Sequence, residues 1–102
     1  MTSDEIRLYC KVKGYSAAYA EYWVLHPVCE VCVQLFPDGW RPAVTVHHMK
    51  TRGSGGGDEA ENLLALCRIH DRMIHTVGDK EMARRVGGRV AAKIEAVKGA
   101  IR

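Results

Sequence analysis

Two pairs of metal-ligand residues constrain this chain more than any other feature of its sequence. Cys29 and Cys32 form a C-x-x-C pair, and Cys67 and His70 form a C-x-x-H pair further along the chain. Two-residue spacing lets both side chains of a tight turn or first helical turn point at one ion, and three thiolates with one imidazole complete a tetrahedral shell. Zinc suits this mixture of sulfur and nitrogen. The sequence therefore predicts a closed structural zinc site that contributes folding free energy directly.

Length and composition predict one globular domain. A chain of 102 residues with 47% hydrophobic residues is large enough for a modest core. It is close to the size at which a bound metal ion helps to stabilise the fold. No segment is long and apolar enough to span a bilayer, and the N-terminus lacks the pattern of a secretion signal. We therefore expect a cytoplasmic protein without membrane contact. In a reducing cytosol its four cysteines are expected to be metal ligands or buried thiols, and Cys10, outside both pairs, to be a buried apolar residue.

Positive charge is concentrated at the C-terminal end of the chain. Residues 76–102 hold seven basic and three acidic residues, against a formal net charge of +3 for the whole chain. This distribution permits contact with a polyanion, and it is equally typical of the solvated face of a helix.

Local patterns predict helices at both ends and a hairpin between them. Capping residues predict two helices within 1–26, interrupted at Gly14, with an aromatic-rich second helix that packs into the core. The β-branched stretch 43–49 is typical of a strand, and the short apolar stretch 62–67 fits a second strand or one helical turn. The Gly-rich segment between them is expected to be a surface loop, and Pro-Asp-Gly at 37–39 a turn.

Two helices are predicted after the hairpin. The first runs from about Arg68 to Val77, with Ile69, Met73 and Ile74 on one side. The second runs as one helix from Asp79 to the C-terminus, and it carries an apolar stripe formed by Met82, Val86, Val90, Ile94, Val97 and Ile101.

The remaining histidines suggest a second site. His47 and His48 are neighbours at the end of the predicted strand, so their side chains should point to opposite faces unless the chain bends. Asp71 and His75 lie four residues apart and share a helix face. A strand and a helix carrying these residues could assemble a metal site with two or three nitrogen and oxygen ligands. Such a site keeps open positions for water and substrate, as catalysis requires.

The stretch CEVC…VTVHHMKTRGSGGGDEAENLLALCRIHDRMIH resembles the HNH endonucleases, the ββα-metal nucleases, in the version with a zinc knuckle. The resemblance covers roughly residues 28–77. It implies an α+β fold with a treble-clef-like hairpin–helix core and structural zinc. An N-terminal helical segment (1–26) and a basic amphipathic C-terminal helix (79–102) flank this core within a single domain, 1–102.

The resemblance also implies roles for individual residues. His48 would be the general base that takes a proton from the attacking water. His47 would ligate the catalytic metal at a position where many relatives have aspartate, and His75 would ligate it from the helix. Asn62 would pin the loop by hydrogen bonds and so orient His48. The metal would contact the scissile phosphate and stabilise the leaving oxygen.

This chain departs from many relatives by having His70 followed by Asp71 where they have cysteine followed by histidine. The simplest interpretation puts His70 in the zinc shell and Asp71 at the catalytic metal, directly or through water. A carboxylate favours Mg²⁺ or Mn²⁺. In the alternative, His70 belongs to the catalytic site and zinc keeps three cysteines and an open position.

These features predict a metal-dependent endonuclease that nicks DNA with low sequence specificity. A monomer is the favoured state; the C-terminal stripe could instead form a homodimer, or it could pack onto its own domain. Basic side chains around the site could hold phosphates, namely Arg41, Lys50, Arg52, Arg68 and Arg72. Two other readings stay open. One is a non-catalytic zinc-knuckle module that binds nucleic acid or protein, and the other is a small zinc-stabilised regulator whose basic helix binds DNA.

Overall fold

A computed structural model describes residues 1–36 and 40–99 as a small antiparallel sheet surrounded by helices, which confirms the α+β class. In chain order the elements are α1 (Ser3–Lys13), α2 (Ala17–Leu25), α3 (Glu30–Leu35), β1 (Thr45–His48), β2 (Leu63–Leu66), α4 (Arg68–Val77), α5 (Asp79–Val86) and α6 (Gly88–Lys98). None of the helices in these two ranges is long and apolar enough to cross a membrane. The turn predicted at 37–39, and Ile101 of the apolar stripe, lie outside the described residues.

The hairpin lies between two hydrophobic cores because β2 is apolar on both faces. Leu64 packs into the core that contains the cysteine pairs and residues of α4, α5 and α6, whereas Leu63 packs into the core formed with α1 and α2. In β1, His47 pairs with Leu64 and His48 pairs with Leu63. Residues directly opposite each other in a pair of strands share a face. The two histidines therefore point to opposite faces of the sheet, as strand alternation predicts.

Capping residues set the limits of the two N-terminal helices, as expected from the sequence. Thr2 begins α1 with a reciprocal capping box, Gly14 ends it at φ 80°, and the Ser16 hydroxyl accepts a hydrogen bond from the third residue of α2. Cys10 is buried, as predicted. The expected aromatic core is confirmed for Tyr19, Tyr22 and Trp23, whereas Tyr15 is 38% exposed.

The sequence predicts α4 well but misses α3. Helix α4 has the predicted bounds, but Ile69 is 53% exposed, and the buried positions of the helix are His70 and Ile74. The apolar periodicity misleads here because His70 turns inward towards the cysteines. Helix α3 is only six residues long, too short to show a periodic pattern, and it begins where the Cys29 thiol accepts a hydrogen bond from the backbone N–H of Cys32.

The prediction of one continuous C-terminal helix is wrong. Gly87 and Gly88 both have positive φ values, 62° and 58°, and they divide the segment into α5 and α6, which pack against each other. The Gln34 amide donates to the carbonyls of Val86 and Gly87 and so holds the break. The apolar stripe packs into the core of its own chain. The stripe from Met82 to Val97 therefore packs within its own domain, which is the alternative to a homodimer interface.

Candidate metal centres

The four residues predicted to bind zinc converge in the core. Cys29, Cys32, Cys67 and His70 are all buried, and His70 Nδ1 lies 3.4 Å from each of the three sulfurs. The sulfurs of Cys32 and Cys67 are 3.8 Å apart. Tetrahedral zinc with Zn–S bonds of about 2.3 Å requires sulfur–sulfur separations of about 3.8 Å and sulfur–nitrogen separations of about 3.5 Å. The four residues therefore fit structural zinc. His70 lies with the three cysteines, in agreement with the simplest interpretation of the sequence.

The protonation chemistry of this cluster also suits a cation. Burial raises the pKa of the Cys29 thiol to about 12. Burial also opposes ionisation of Cys32, but a hydrogen bond from the Arg41 guanidinium at 3.7 Å helps to lower the pKa of that thiol below its ordinary value. Burial lowers the pKa of His70, so its imidazole is neutral, as a metal ligand must be. A zinc ion would supply the positive charge that buried thiolates need.

A second group of ligand atoms lies where β1 meets α4. His47, Asp71 and His75 each offer an atom within 4.8 Å of the other two. The imidazoles of His47 and His75 are in edge-to-face contact at 5.1 Å, and His75 Nε2 lies 3.3 Å from Asp71 Oδ1. Ligands around a Mg²⁺ or Mn²⁺ ion at about 2.1 Å are roughly 3 to 4 Å apart. A small contraction would bring these three residues onto one ion and leave coordination positions open.

His48 is not a member of this three-residue group. It is the last residue of β1, and its Nε2 lies 2.6 Å from Asp58 Oδ1. The Tyr19 ring stacks on its imidazole at 5.7 Å. Because a carboxylate only accepts hydrogen bonds, His48 donates from Nε2, and the neutral form of this imidazole has its lone pair on Nδ1.

Asn62 clamps the loop that connects the two strands. Its side chain is buried, with Oδ1 accepting from the Lys50 N–H at 2.7 Å and Nδ2 donating to the carbonyls of Lys50 and Gly57 at 2.8 and 2.9 Å. The Asn62 clamp therefore joins Lys50, two residues after His48, to Gly57, which directly precedes Asp58. These are hydrogen bonds of the kind that the family resemblance implies for Asn62, and its effect on the orientation of His48 stays a prediction.

Sequence reasoning missed two carboxylates at these sites. Asp58 lies in a loop interpreted only as a surface connection, and Asp79 begins α5. Asp79 Oδ1 lies 3.1 Å from His47 Nε2. Its buried Oδ2 has no hydrogen-bond partner within residues 1–36 and 40–99, although Lys98 Nζ is 3.6 Å away. Neither contact has a spacing signal, because each joins residues that only the fold brings together.

This arrangement is typical of the ββα-metal class of proteins. A hairpin is followed by a helix, a sulfur-rich cluster lies behind them, and an open nitrogen–oxygen cluster lies at the strand end. The HNH endonuclease family model matches residues 29–72. Residues 29–72 therefore form an HNH endonuclease segment, and that family implies a nucleic-acid substrate. No curated protein and no solved structure matches the chain. The family match ends before His75 and Asp79, and it begins after α1 and α2.

Proposed function

We propose that this protein is a divalent-metal-dependent endonuclease that hydrolyses DNA phosphodiester bonds and nicks one strand at a time with little sequence preference. The observation that carries the proposal is the grouping of His47, Asp71 and His75 where β1 meets α4, within a segment that matches the HNH family. A closed zinc shell alone would be equally consistent with a binding module. A three-ligand site with open positions is typical of hydrolytic metal centres.

Each residue has a separate task in the proposed reaction. His47, Asp71 and His75 would hold Mg²⁺ or Mn²⁺, which supplies positive charge to the scissile phosphate and the departing oxygen. His48 Nδ1 accepts the proton of the attacking water, and Asn62 holds the loop that keeps His48 in place. The cysteine cluster takes no part in the chemistry and holds the hairpin against α4.

Basic side chains near the site would contact the DNA backbone. Lys50, Arg68 and Arg72 are exposed, whereas Arg41 and Arg52 already contact Cys32 and Asp58. Phosphate contacts give affinity without sequence preference and weaken as salt increases. One active site per chain cuts one strand, and a monomer therefore suffices for nicking.

The test is conversion of supercoiled plasmid to nicked circles by zinc-loaded protein in the presence of Mg²⁺ or Mn²⁺. We expect His48→Ala to abolish nicking, with zinc content and circular dichroism unchanged. His26→Ala is the matched control, because His26 stacks on Tyr22 and belongs to neither metal group. Equal nicking by wild-type and His48→Ala protein would show that the activity comes from a contaminant. Binding of plasmid without nicking would favour the binding module.

A further inference from the structure

Asp58 connects the general base of the proposed reaction to the N-terminal helices. Its Oδ1 accepts from His48 Nε2 at 2.6 Å, and its Oδ2 accepts from the Ser16 hydroxyl at 2.5 Å and from Arg52 Nη2 at 3.1 Å. The side chain of Asp58 is only 16% exposed. Both of its oxygens are therefore engaged, and the carboxylate cannot rotate without breaking contacts.

We propose that Asp58 is the positioning residue for His48, and that Ser16 and Arg52 hold Asp58 in turn. This inference rests on the proposed function, because it assigns His48 its orientation as the base. A carboxylate on Nε2–H fixes both the plane of the imidazole and its tautomer, with the proton-accepting lone pair on Nδ1. The stacked Tyr19 ring restricts the same imidazole from its face.

The carboxylate is held in its charged form, which strengthens its bond to His48. Burial alone would raise the pKa of Asp58, but the hydrogen bonds from Ser16 and His48, with the charge of Arg52, outweigh burial and lower it. Charge-assisted hydrogen bonds are shorter and stronger than neutral ones. The Asn62 clamp fixes the carbonyl of Gly57, so the backbone that carries Asp58 is also held.

The arrangement gives α2 a role in the active site although it lies outside the family segment. Ser16 caps α2 by accepting from the Tyr19 N–H, and the same hydroxyl donates to Asp58. Tyr19, in the first turn of α2, stacks on His48. The N-terminal helices are therefore part of the support of His48, beyond their place in the second core.

The experiment compares Asp58→Asn and Ser16→Ala with the wild type, and Glu59→Gln serves as the control because Glu59 is the exposed neighbouring acid of the same loop. Single-turnover nicking rates and apparent plasmid affinity are measured alongside long-range ¹H–¹⁵N spectra of the histidine side chains, with fold checked by zinc content and circular dichroism. We expect Asp58→Asn to lower the rate about 100-fold with affinity within twofold, in the range of a lost general base. Ser16→Ala should give a smaller loss in the same direction, and Glu59→Gln no loss.

The spectra supply a readout that a merely structural role would not move. In the wild type His48 should be a single Nε2–H tautomer, and in Asp58→Asn it should be a mixture. A rate within twofold of the wild type together with an unchanged tautomer would overturn the proposal. If the wild type itself fails to nick, the proposed function fails, and the tautomer then decides alone whether Asp58 positions His48.

Discussion

His47 and His48 are neighbours in β1, but their imidazoles contact different carboxylates on opposite faces of the sheet. His47 Nε2 lies 3.1 Å from Asp79 in α5, and His48 Nε2 lies 2.6 Å from Asp58 in the connecting loop. Strand alternation thus separates the proposed metal ligand from the proposed proton acceptor within two residues. In the proposed enzyme this separation prevents the metal from binding to His48, and each imidazole is held by its own carboxylate.

Asp79→Asn should weaken binding of the proposed catalytic metal. Asp79 accepts a hydrogen bond from His47, and loss of such a carboxylate behind a ligating histidine typically costs about 10- to 100-fold in metal affinity. Titration of Mn²⁺ by electron paramagnetic resonance measures the change. Glu81→Gln is the control, since Glu81 lies in the same helix and pairs with Arg85. Mn²⁺ affinity within twofold of the wild type in Asp79→Asn would contradict this role.

Loss of one cysteine ligand should remove zinc and cooperative folding. Cys67→Ser deletes a thiolate from the cluster, whereas Cys10→Ser alters an equally buried thiol in the other core. We expect Cys10→Ser protein to keep one zinc ion per chain and to melt cooperatively at a reduced temperature. Cys67→Ser protein should lose the ion and the sharp transition. Metal analysis and thermal melts measure these differences. Retention of stoichiometric zinc by Cys67→Ser protein would refute the assignment of Cys67 as a zinc ligand.

Zinc affinity should rise with pH. The zinc-free protein holds Cys29 as a neutral thiol, because burial raises its pKa to about 12, whereas bound zinc requires the thiolate. Zinc uptake therefore releases a proton, and a fall in pH favours the zinc-free form. The zinc affinity changes about tenfold per pH unit for each proton released. Calorimetry in two buffers of different ionisation enthalpy measures the release at pH 7. Identical heats in the two buffers would mean that no proton leaves.

Gly56→Ala should disrupt the loop clamp, whereas Gly53→Ala should not. A Cβ at Gly56 would lie 1.8 Å from the Lys50 carbonyl oxygen and 2.9 Å from Asn62 Nδ2, but at Gly53 the nearest atom is 4.0 Å away. The first clash is with backbone and cannot be relieved by rotating a side chain. We expect Gly56→Ala to destabilise the protein by about 1–3 kcal/mol, as overpacking does, and to lose nicking. Urea unfolding of the zinc-loaded variants measures this, and equal stabilities would show that the loop tolerates the clash.

The sequence predicted the parts of this fold that depend on local chemistry. Ligand spacing identified the zinc cluster, caps identified α1 and α2, and strand alternation separated His47 from His48. The division between α5 and α6 escaped prediction because Val86 and Val90 keep helical spacing across it, although Gly87 and Gly88 have positive φ. The spacing of apolar residues carries no information about a change of backbone direction between them.

The two supporting carboxylates could not be predicted for a different reason. Asp58 reaches His48 because the Asn62 clamp folds the loop back, and Asp79 reaches His47 because α5 turns at Gly78, where φ is 89°. Both contacts depend on the paths of loops, and no regular spacing of residues in the sequence indicates such paths. The cluster of His47, Asp71 and His75 was within reach because a strand end and one helix face bring its members together.

Anomalous scattering from a crystal grown with zinc and soaked in Mn²⁺ tests the central claim most directly. We predict a zinc-specific peak bound by Cys29, Cys32, Cys67 and His70, and a separate manganese peak in contact with His47, Asp71 and His75. A single peak in the cysteine cluster, with no manganese at the three-residue group, would contradict a catalytic metal centre in this protein.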